Sequence, residues 1–330
     1  MLCQFLAGHI LRMLWFIHGE PMKSSLGQNI NLAKLSEEFG SDEKCRKVLE
    51  QLRWPSGPKC PRCQEKATPI ANRFQYDCDK CHYQFSVTAG TIFHDSHLSL
   101  WKWFLATLLL CEAKKGMSAC QIQRTLGMTY KTAWYLCHRI RAAMLETGKA
   151  KLDGIVEMDE TYVGGKAKPG SKKQGLTGRG TEKEIVIGIR KRNGDLRMFH
   201  ASDVKAGTIA QFIRENVSED VEVIMTDDFA SYPFAMERAG VSRTKHKTIK
   251  HSSRVYVMGD IHTNTVESAF SLLKRGIMGT WHRVSAKHLP AYLDEMCFRF
   301  NNRKNPYLFR DTVLKLISSA NLEYRELIAS

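Results

Sequence analysis

The sequence lacks an uninterrupted apolar run long enough to cross a membrane. Its most apolar stretch is the first nineteen residues, and it is broken by Gln4, His9, Arg12 and His18. A spanning helix needs roughly 18 or more consecutive apolar residues. The stretch also lacks the basic opening and the small-residue cleavage site of a signal peptide. We therefore expect an amphipathic helix there, and no membrane partner.

Acidic residues and disulfide-type cysteine pairs are also scarce. The chain has 34 Asp and Glu against 49 Lys and Arg, and the resulting formal net charge of +15 points to a polyanionic partner, nucleic acid first. Of ten cysteines, six are scattered through predicted helices, unlike the dense pairs of a secreted disulfide-rich chain. Internal repeats and low-complexity tracts are missing. With 43% hydrophobic residues, the chain is expected to fold. The cysteine pattern predicts a reduced, intracellular protein.

The other four cysteines form a metal-binding pattern. Cys60 and Cys63 make one CxxC pair, and Cys78 and Cys81 make a second pair after fourteen intervening residues. Two such pairs can close a tetrahedron of thiolates around Zn²⁺. An iron–sulfur cluster or a redox dithiol pair is the alternative, but the sequence around the cysteines has no βαβ pattern that would support either. Because sulfur fills all four positions, we expect one structural zinc ion in a zinc ribbon.

Two predicted helices after the ribbon have the order of a helix-turn-helix. They cover Ser118–Leu126 and Thr129–Arg141, with Ser118 and Thr129 as N-caps. The second helix would present a basic face to DNA, and a plain helical hairpin is the alternative. The residues expected on that face are Tyr130, Lys131, His138, Arg139 and Arg141.

After residue 150, short β-rich runs alternate with helices. Strands are predicted at 155–158, 185–189, 196–200 and 221–225. Helices are predicted at 206–217, 229–239, about 265–300 and 311–328. The fold class is therefore α+β and multidomain. Its predicted parts are an N-terminal helical region (1–55), the zinc ribbon (56–96), a helix-turn-helix-like DNA-binding region (97–150), an α/β catalytic domain (151–305) and a C-terminal helix (306–330).

Informative acids lie at the ends of two predicted strands. Asp159 follows one apolar run and shares a strand face with Glu157 by the period of two. A second apolar run leads into Asp227 and Asp228. Ionised carboxylates beside a sheet are costly to desolvate, and hard divalent cations such as Mg²⁺ offset that cost. The two strand ends therefore predict a metal site.

A third acid lies on a predicted helix further along the chain. Thr265 would cap this helix, and the seven-residue spacing places Glu267 and Lys274 on one face. The carboxylate could complete a metal site, and the lysine could contact a nucleic-acid phosphate as a point charge. An ordinary solvated Glu and Lys are the alternative.

Several segments of the chain carry a family resemblance. They are VEMDETYVGG at 156–165, Thr226-Asp227, ESAFSLLKRG at 267–276, GTWH at 279–282 and RFN at 299–301. These segments look like the zinc-ribbon insertion-sequence transposases of the ISXO type. The ribbon and the helices after it match the N-terminal half of the same family, so the resemblance covers about residues 28–305.

The resemblance implies an RNase H-like fold in the catalytic domain, with an Asp-Asp-Glu active site. The triad falls on Asp159, Asp227 and Glu267, with Lys274 as the accompanying base and Asp228 as the alternative to its neighbour. It implies DNA cleavage at terminal inverted repeats and transfer of the freed strand to target DNA, with two Mg²⁺ or Mn²⁺ ions. A homodimer or larger assembly on double-stranded DNA is expected, because transposition brings the two ends of the element together. The expected location is the cytoplasmic nucleoid.

Two other functions stay open: a zinc-ribbon DNA-binding regulator without catalysis, and an RNase H-like nuclease that cuts but does not join. A basic segment at 164–192, with nine Lys and Arg against two Glu, is predicted to track DNA phosphates. A solubilising insertion is the alternative. The stretch from Lys245 to Arg254 has a similar composition.

Overall fold

The computed structural model describes residues 28–165, 183–249 and 262–329. The amphipathic helix predicted at the start of the chain and most of the basic segment 164–192 lie outside these ranges. The second half of the basic stretch from Lys245 to Arg254 lies outside them too. Within the described ranges, no helix is long and apolar enough to cross a membrane.

Helices and a small sheet make up the described part before residue 150. Ser118 and Thr129 are N-caps as predicted, and they accept hydrogen bonds from the backbone N–H groups of Gln121 (3.2 Å) and Thr132 (3.3 Å). The small sheet is antiparallel and carries the cysteine pairs. The elements are α1 (Leu32–Phe39), α2 (Asp42–Arg53), β1 (Ala67–Pro69), β2 (Tyr76–Cys78), β3 (Gln84–Phe85), α3 (Leu100–Glu112), α4 (Ala119–Leu126) and α5 (Tyr130–Met144).

A mixed sheet with flanking helices makes up most of the described part after residue 150. The elements are β4 (Ile155–Val163), β5 (Glu184–Lys191), β6 (Leu196–Ala201), α6 (Ala206–Asn216), β7 (Val223–Asp227), α7 (Ser231–Ala239), β8 (His246–Ile249), α8 (Asn264–Gly276), α9 (Leu289–Asn301), α10 (Leu308–Ser318) and α11 (Tyr324–Ile328). The strand order is β6-β5-β4-β7-β8, in which β4 to β6 pair antiparallel and β7 and β8 run parallel to β4. Counted from β4, this is the 3-2-1-4-5 order of an RNase H-like sheet. The predicted fold class is confirmed.

Alternation along the strands sends side chains to two covered faces of this sheet. Met158 of β4 belongs to one core with Ile213 of α6. Val186 of β5 belongs to another core, on the opposite face, with Phe270 of α8. Asp159, one position after Met158, therefore faces α8.

Helix α10 completes the core of the N-terminal helices. Val313 and Leu316 are buried in the same cluster as residues of α1 to α5. The Phe309 ring lies 6.4 Å from the Phe39 ring and 5.8 Å from the Phe104 ring. The far end of the described chain thus packs beside its beginning.

Three features of the helices and strands differ from the sequence prediction. The region predicted as one helix at 265–300 is α8 and α9, separated by a π-helical turn at Ile277–Trp281. The helix predicted at 311–328 is α10 and α11, because Ser319 takes an extended conformation. Strand β8 was not predicted, because its residues His-Lys-Thr-Ile lack an apolar run.

The basic face predicted on the second helix of the pair, α5, is wrong at three positions. His138, Arg139 and Arg141 are 1%, 2% and 1% exposed, because the C-terminal half of α5 packs on other helices. Arg141, for example, donates from Nε to the buried Glu295 of α9 at 2.6 Å. The exposed members of the predicted face are Tyr130 and Lys131 in the first turn.

Candidate metal centres

Asp159 and Asp227 meet at one end of paired strands. β4 and β7 run parallel, and their pairing continues as far as Glu157 and Met225. Two residues further along, on the same faces, come Asp159 and Asp227. Carboxylate oxygens of Asp159, Asp227 and Glu160 lie within 4.8 Å of one another. Two of the three acids predicted as a triad are therefore neighbours.

The end of β7 separates Asp227 from the adjacent Asp228. Asp227 Oδ1 accepts a hydrogen bond from the backbone N–H of Phe229 at 3.1 Å, where the chain turns out of the strand. Asp228 is exposed, and it does not belong to the cluster of three acids whose oxygens lie close together. Of the two neighbours, Asp227 is therefore the one that could hold a metal ion together with Asp159.

The surroundings of Asp159 disfavour its negative charge. Burial first, and then the charges of Glu160, Asp227 and Glu267, raise the pKa of Asp159 to about 8. A hydrogen bond from the backbone N–H of Glu160, at 2.8 Å, opposes this effect. A divalent cation would offset both the burial and the repulsion between the acids, and Mg²⁺ and Mn²⁺ accept carboxylate oxygen. The residues present therefore fit such an ion.

Glu267 approaches the same face of the sheet from helix α8. Gly188 of β5 pairs with Asp159, and a Cβ atom on Gly188 would lie 2.7 Å from the Phe270 ring and 2.9 Å from Val266. The absence of a side chain therefore lets α8 lie close over the acids. Glu267 is in the first turn of α8 and contributes to the raised pKa of Asp159. Its oxygens lie outside the group that falls within 4.8 Å.

The first turn of α8 differs from the prediction. The helix begins at Asn264, so Thr265 is inside it and is not the cap. The Thr265 hydroxyl donates to Glu157 Oε2 at 2.6 Å, and the Thr263 hydroxyl donates to Glu267 Oε1 at 2.8 Å. The sequence could not indicate the first contact, because its partners are 108 residues apart.

The four cysteines predicted to hold zinc lie together in the ribbon. The Sγ atom of Cys63 is 3.4 Å from that of Cys78 and 3.6 Å from that of Cys81. The Sγ atoms of Cys60 and Cys81 are 3.7 Å apart. Zn–S bonds of about 2.3 Å give a tetrahedron with edges of about 3.8 Å. The cluster therefore fits one structural zinc ion.

Comparisons with known proteins match both of the segments in which these sites lie. A family model for the ISXO2-like transposase domain matches residues 151–301, and one for the transposase zinc-ribbon domain matches residues 40–84. A relative described as an uncharacterized protein in transposable element ISH50, from Halobacterium salinarum, is 30% identical over 271 residues, which is 77% of this chain and 89% of the relative. The chain belongs to the ISXO2-like transposase family.

Solved structures of another transposase show a weaker likeness. The Mos1 strand transfer complex is 12% identical, with a TM-score of 0.27, and the match covers 65% of this chain and 75% of that chain. The Mos1 transposase paired-end complex with left transposon end is 13% identical, with a TM-score of 0.28 and the same coverage of 65% and 75%. Scores this low do not establish a shared fold, so the fold assignment depends on the strand order and the family.

Glu160 of this transposase is a site residue that the sequence interpretation missed. Its side chain starts on the face towards α7, where the Tyr232 hydroxyl donates to Glu160 Oε2 at 2.8 Å. Burial and the charges of Glu160, Asp159 and Asp227 raise the pKa of Tyr232 well above its usual value, so Tyr232 stays a donor. The sequence does show Glu160 directly after Asp159. Strand alternation assigns the two side chains to opposite faces, so this pair did not predict that their oxygens would meet.

Lys274 of the transposase is exposed in the last turn of α8. It comes seven residues after Glu267, which corresponds to about 10 Å along the helix axis. Lys274 therefore lies further from the strand ends than Glu267 does, at a position where it could meet a bound polyanion.

Proposed function

We propose that this transposase cleaves double-stranded DNA at the terminal inverted repeats of its element and joins the freed 3′ ends to target DNA. The observation that carries the proposal is the meeting of the half-buried Asp159 with Asp227, under the helix that bears Glu267. In phosphoryl transfer of this kind, the protein contributes mainly by positioning the reactants and by stabilising charge, and little covalent chemistry is left for it to do. A site built from acids on a rigid sheet suits this reaction.

Asp159, Asp227 and Glu267 would hold two Mg²⁺ or Mn²⁺ ions. When bound, the ions would stabilise the attacking and leaving oxygens of an in-line displacement. The Thr263 hydroxyl would orient Glu267, to which it donates a hydrogen bond at 2.8 Å. Lys274 would contact a DNA phosphate and accompany the triad as its base.

DNA would bind at the exposed end of the α4–α5 pair. Gly127 closes α4 with a left-handed φ of 58°, and Lys102 Nζ donates to its carbonyl at 3.3 Å. Tyr130 and Lys131 are exposed at the start of α5, and Arg124 is exposed on α4. Helix-turn-helix proteins present the N-terminal residues of the second helix to base edges. The buried C-terminal half of α5 is compatible with this mode.

The zinc ion would have a structural role, because all four of its ligands are cysteines. The net charge of +15 would favour phosphate contacts along the DNA. Transposition brings two ends together, so we also propose a homodimer or larger assembly on DNA at the cytoplasmic nucleoid.

Substitution of single acids tests the proposal. Purified protein is mixed with Mg²⁺ and a linear DNA that carries the inverted repeats flanking the gene, and cleaved and joined products are separated on a gel. Asp159→Asn and Asp227→Asn should reduce both products at least about a hundredfold, since metal ions supply several kcal/mol in such reactions. Asp228→Asn is the matched control and should retain activity, because Asp228 is exposed and outside the carboxylate group.

Binding of the same DNA without divalent ions, measured by gel shift, should be unchanged in all three variants. Cleavage retained by Asp159→Asn would contradict the proposal. A wild-type protein that binds the ends and never cuts them would be a regulator, and one that cuts without joining would be a nuclease.

A further inference from the structure

Glu157 is a buried acid beside the proposed site that the mechanism does not use. It is 0% exposed and shares a face of β4 with Asp159. Its carboxylate accepts from Arg192 Nε (2.8 Å), the Thr265 hydroxyl (2.6 Å), and the backbone N–H groups of Thr265 (2.9 Å) and Val266 (3.1 Å). Burial of a carboxylate is tolerated only with partners of this kind.

Two of these bonds cap helix α8 from outside. The first N–H groups of a helix lack intrahelical partners, and an N-cap side chain usually accepts from the second or third of them. Thr263 is the N-cap residue here and makes no such cap bond. Glu157 Oε2 takes this place, because Thr265 and Val266 are the second and third residues of the helix. A negative charge is also favoured at a helix N-terminus. Strand β4 therefore holds the start of α8.

The partner Arg192 extends the connection to a third element. Its Nη2 donates to Met225 Sδ on β7 at 3.2 Å and to the carbonyl of His262 at 3.2 Å. The three elements are β4, β7 and α8, and on each of them one residue of this network lies two positions before a proposed metal ligand. The pairs are Glu157 before Asp159, Met225 before Asp227, and Thr265 before Glu267.

We propose that Glu157, paired with Arg192, is a positioning residue that fixes the three acids relative to one another. The inference rests on the proposed function, since it concerns the same acids. A buried ion pair is a weak source of stability, because hydrophobic residues of similar volume are often as stable. Loss of a group that orients metal ligands typically lowers metal affinity about 10- to 100-fold.

The test compares two buried Glu–Arg pairs. Glu157→Gln keeps the shape but turns an amide donor or an uncharged oxygen toward Arg192. The matched control is Glu295→Gln: Glu295 is also 0% exposed, and it accepts from Arg141 Nε at 2.6 Å and Arg299 Nε at 3.1 Å. Glu295 lies on α9, and these two partners lie on α5 and α9. Both variants should lower the melting temperature.

Mn²⁺ binding to the zinc-loaded full chain is measured by electron paramagnetic resonance. We expect the Kd for Mn²⁺ to rise about tenfold or more in Glu157→Gln and to change less than about twofold in Glu295→Gln. Thr265→Val, which loses one hydroxyl donor to Glu157, should show a smaller rise. Thr265→Ser restores the hydroxyl and should bind Mn²⁺ as the wild type does.

The outcomes separate the inference from the function. If the wild type binds Mn²⁺ and Asp159→Asn does not, but Glu157→Gln binds as the wild type does, the inference is overturned alone. It is also overturned if Glu295→Gln loses as much affinity as Glu157→Gln. If the wild type and Asp159→Asn both fail to bind Mn²⁺ and to cleave DNA, the proposed function fails as well.

Discussion

Adjacent acids in this transposase have different surroundings, and strand geometry is the reason. Asp227 ends β7 beside Asp159, whereas Asp228 is exposed in the following turn. A shift of one residue along a strand reverses the face on which a side chain lies. The same alternation sends Glu160 toward Tyr232, on the face opposite to Asp159. Asp228 is therefore kept out of the cluster of acids, whereas the oxygens of Glu160 still reach it although the side chain starts on the other face.

At the same scale, His138 gives the protein an expected sensitivity to acid. Burial, and then the positive charges of Arg141 and His288, lower the pKa of His138 from 6.5 to about 3. Because this folded value is below the unfolded one, the unfolded chain binds the additional proton between these pH values. Stability should fall as the pH falls from about 6.5 to 5, by on the order of 2 kcal/mol.

Thermal denaturation at pH 7 and pH 5 measures this effect. In His138→Phe, the drop in melting temperature between the two pH values should be smaller than in the wild type. His97→Phe is the control, because His97 is exposed, and it should keep the wild-type drop. An equal drop in His138→Phe and the wild type would contradict the assignment.

Residues of the site differ in how far the sequence could predict them. Asp159 and Asp227 each follow an apolar run, which is a local pattern, and the structure brings them together. The contacts of Glu160 and Glu157 are with Tyr232 and Thr265, which are 72 and 108 residues away. Such contacts depend on the folded sheet, so the spacing of residues could not indicate them.

At the scale of single elements, helix α5 illustrates the limit of amphipathic patterns. The period of the apolar residues predicted the helix, and the residue type of Thr129 predicted its cap; both are confirmed. The pattern could not show that Arg141 pairs with Glu295, which is 154 residues away. The charged side chains on the polar side of α5 were therefore predicted to face solvent, whereas they are buried between helices.

Close packing of α8 on the sheet leads to a prediction for Gly188. A Cβ atom there would lie 2.7 Å from the ring of Phe270, which is buried and has little room to move. Gly188→Ala should therefore push α8 away from the acids and destabilise the protein by about 1–3 kcal/mol. We expect a lower melting temperature together with a higher Mg²⁺ requirement for DNA cleavage.

Gly279→Ala is the control for this change. A Cβ atom on Gly279 would have nothing within 4 Å, so neither the melting temperature nor the Mg²⁺ requirement should change. A Gly188→Ala protein with wild-type values of both would show that α8 does not need this close approach.

At the scale of the whole molecule, helix α9 joins the helical region to the five-stranded sheet. Glu295 of α9 accepts from Arg141 of α5 at 2.6 Å, and Arg299 donates to the carbonyl of Ala113 at 2.6 Å. The proposed DNA-binding helix pair is therefore attached to a helix that shares a buried core with α8. This attachment would hold bound DNA at a fixed position relative to the acids.

The order of the parts could be predicted from motif spacing, whereas their packing could not. The cysteine pairs, the strand-end acids and the resemblance together indicated a ribbon followed by an RNase H-like sheet, and that fold is confirmed. Nothing in the sequence pattern of α10 shows that Phe309 and Val313 complete the core of α1 to α5. Contacts between distant ends of a chain leave no local periodicity.

Anomalous X-ray diffraction from crystals soaked in Mn²⁺ tests the central claim most directly. We expect manganese peaks in contact with the carboxylates of Asp159, Asp227 and Glu267 in the wild type, and their loss in Asp159→Asn. Manganese bound only elsewhere, or no manganese at these acids in the wild type, would contradict the assignment of the three acids as one metal centre.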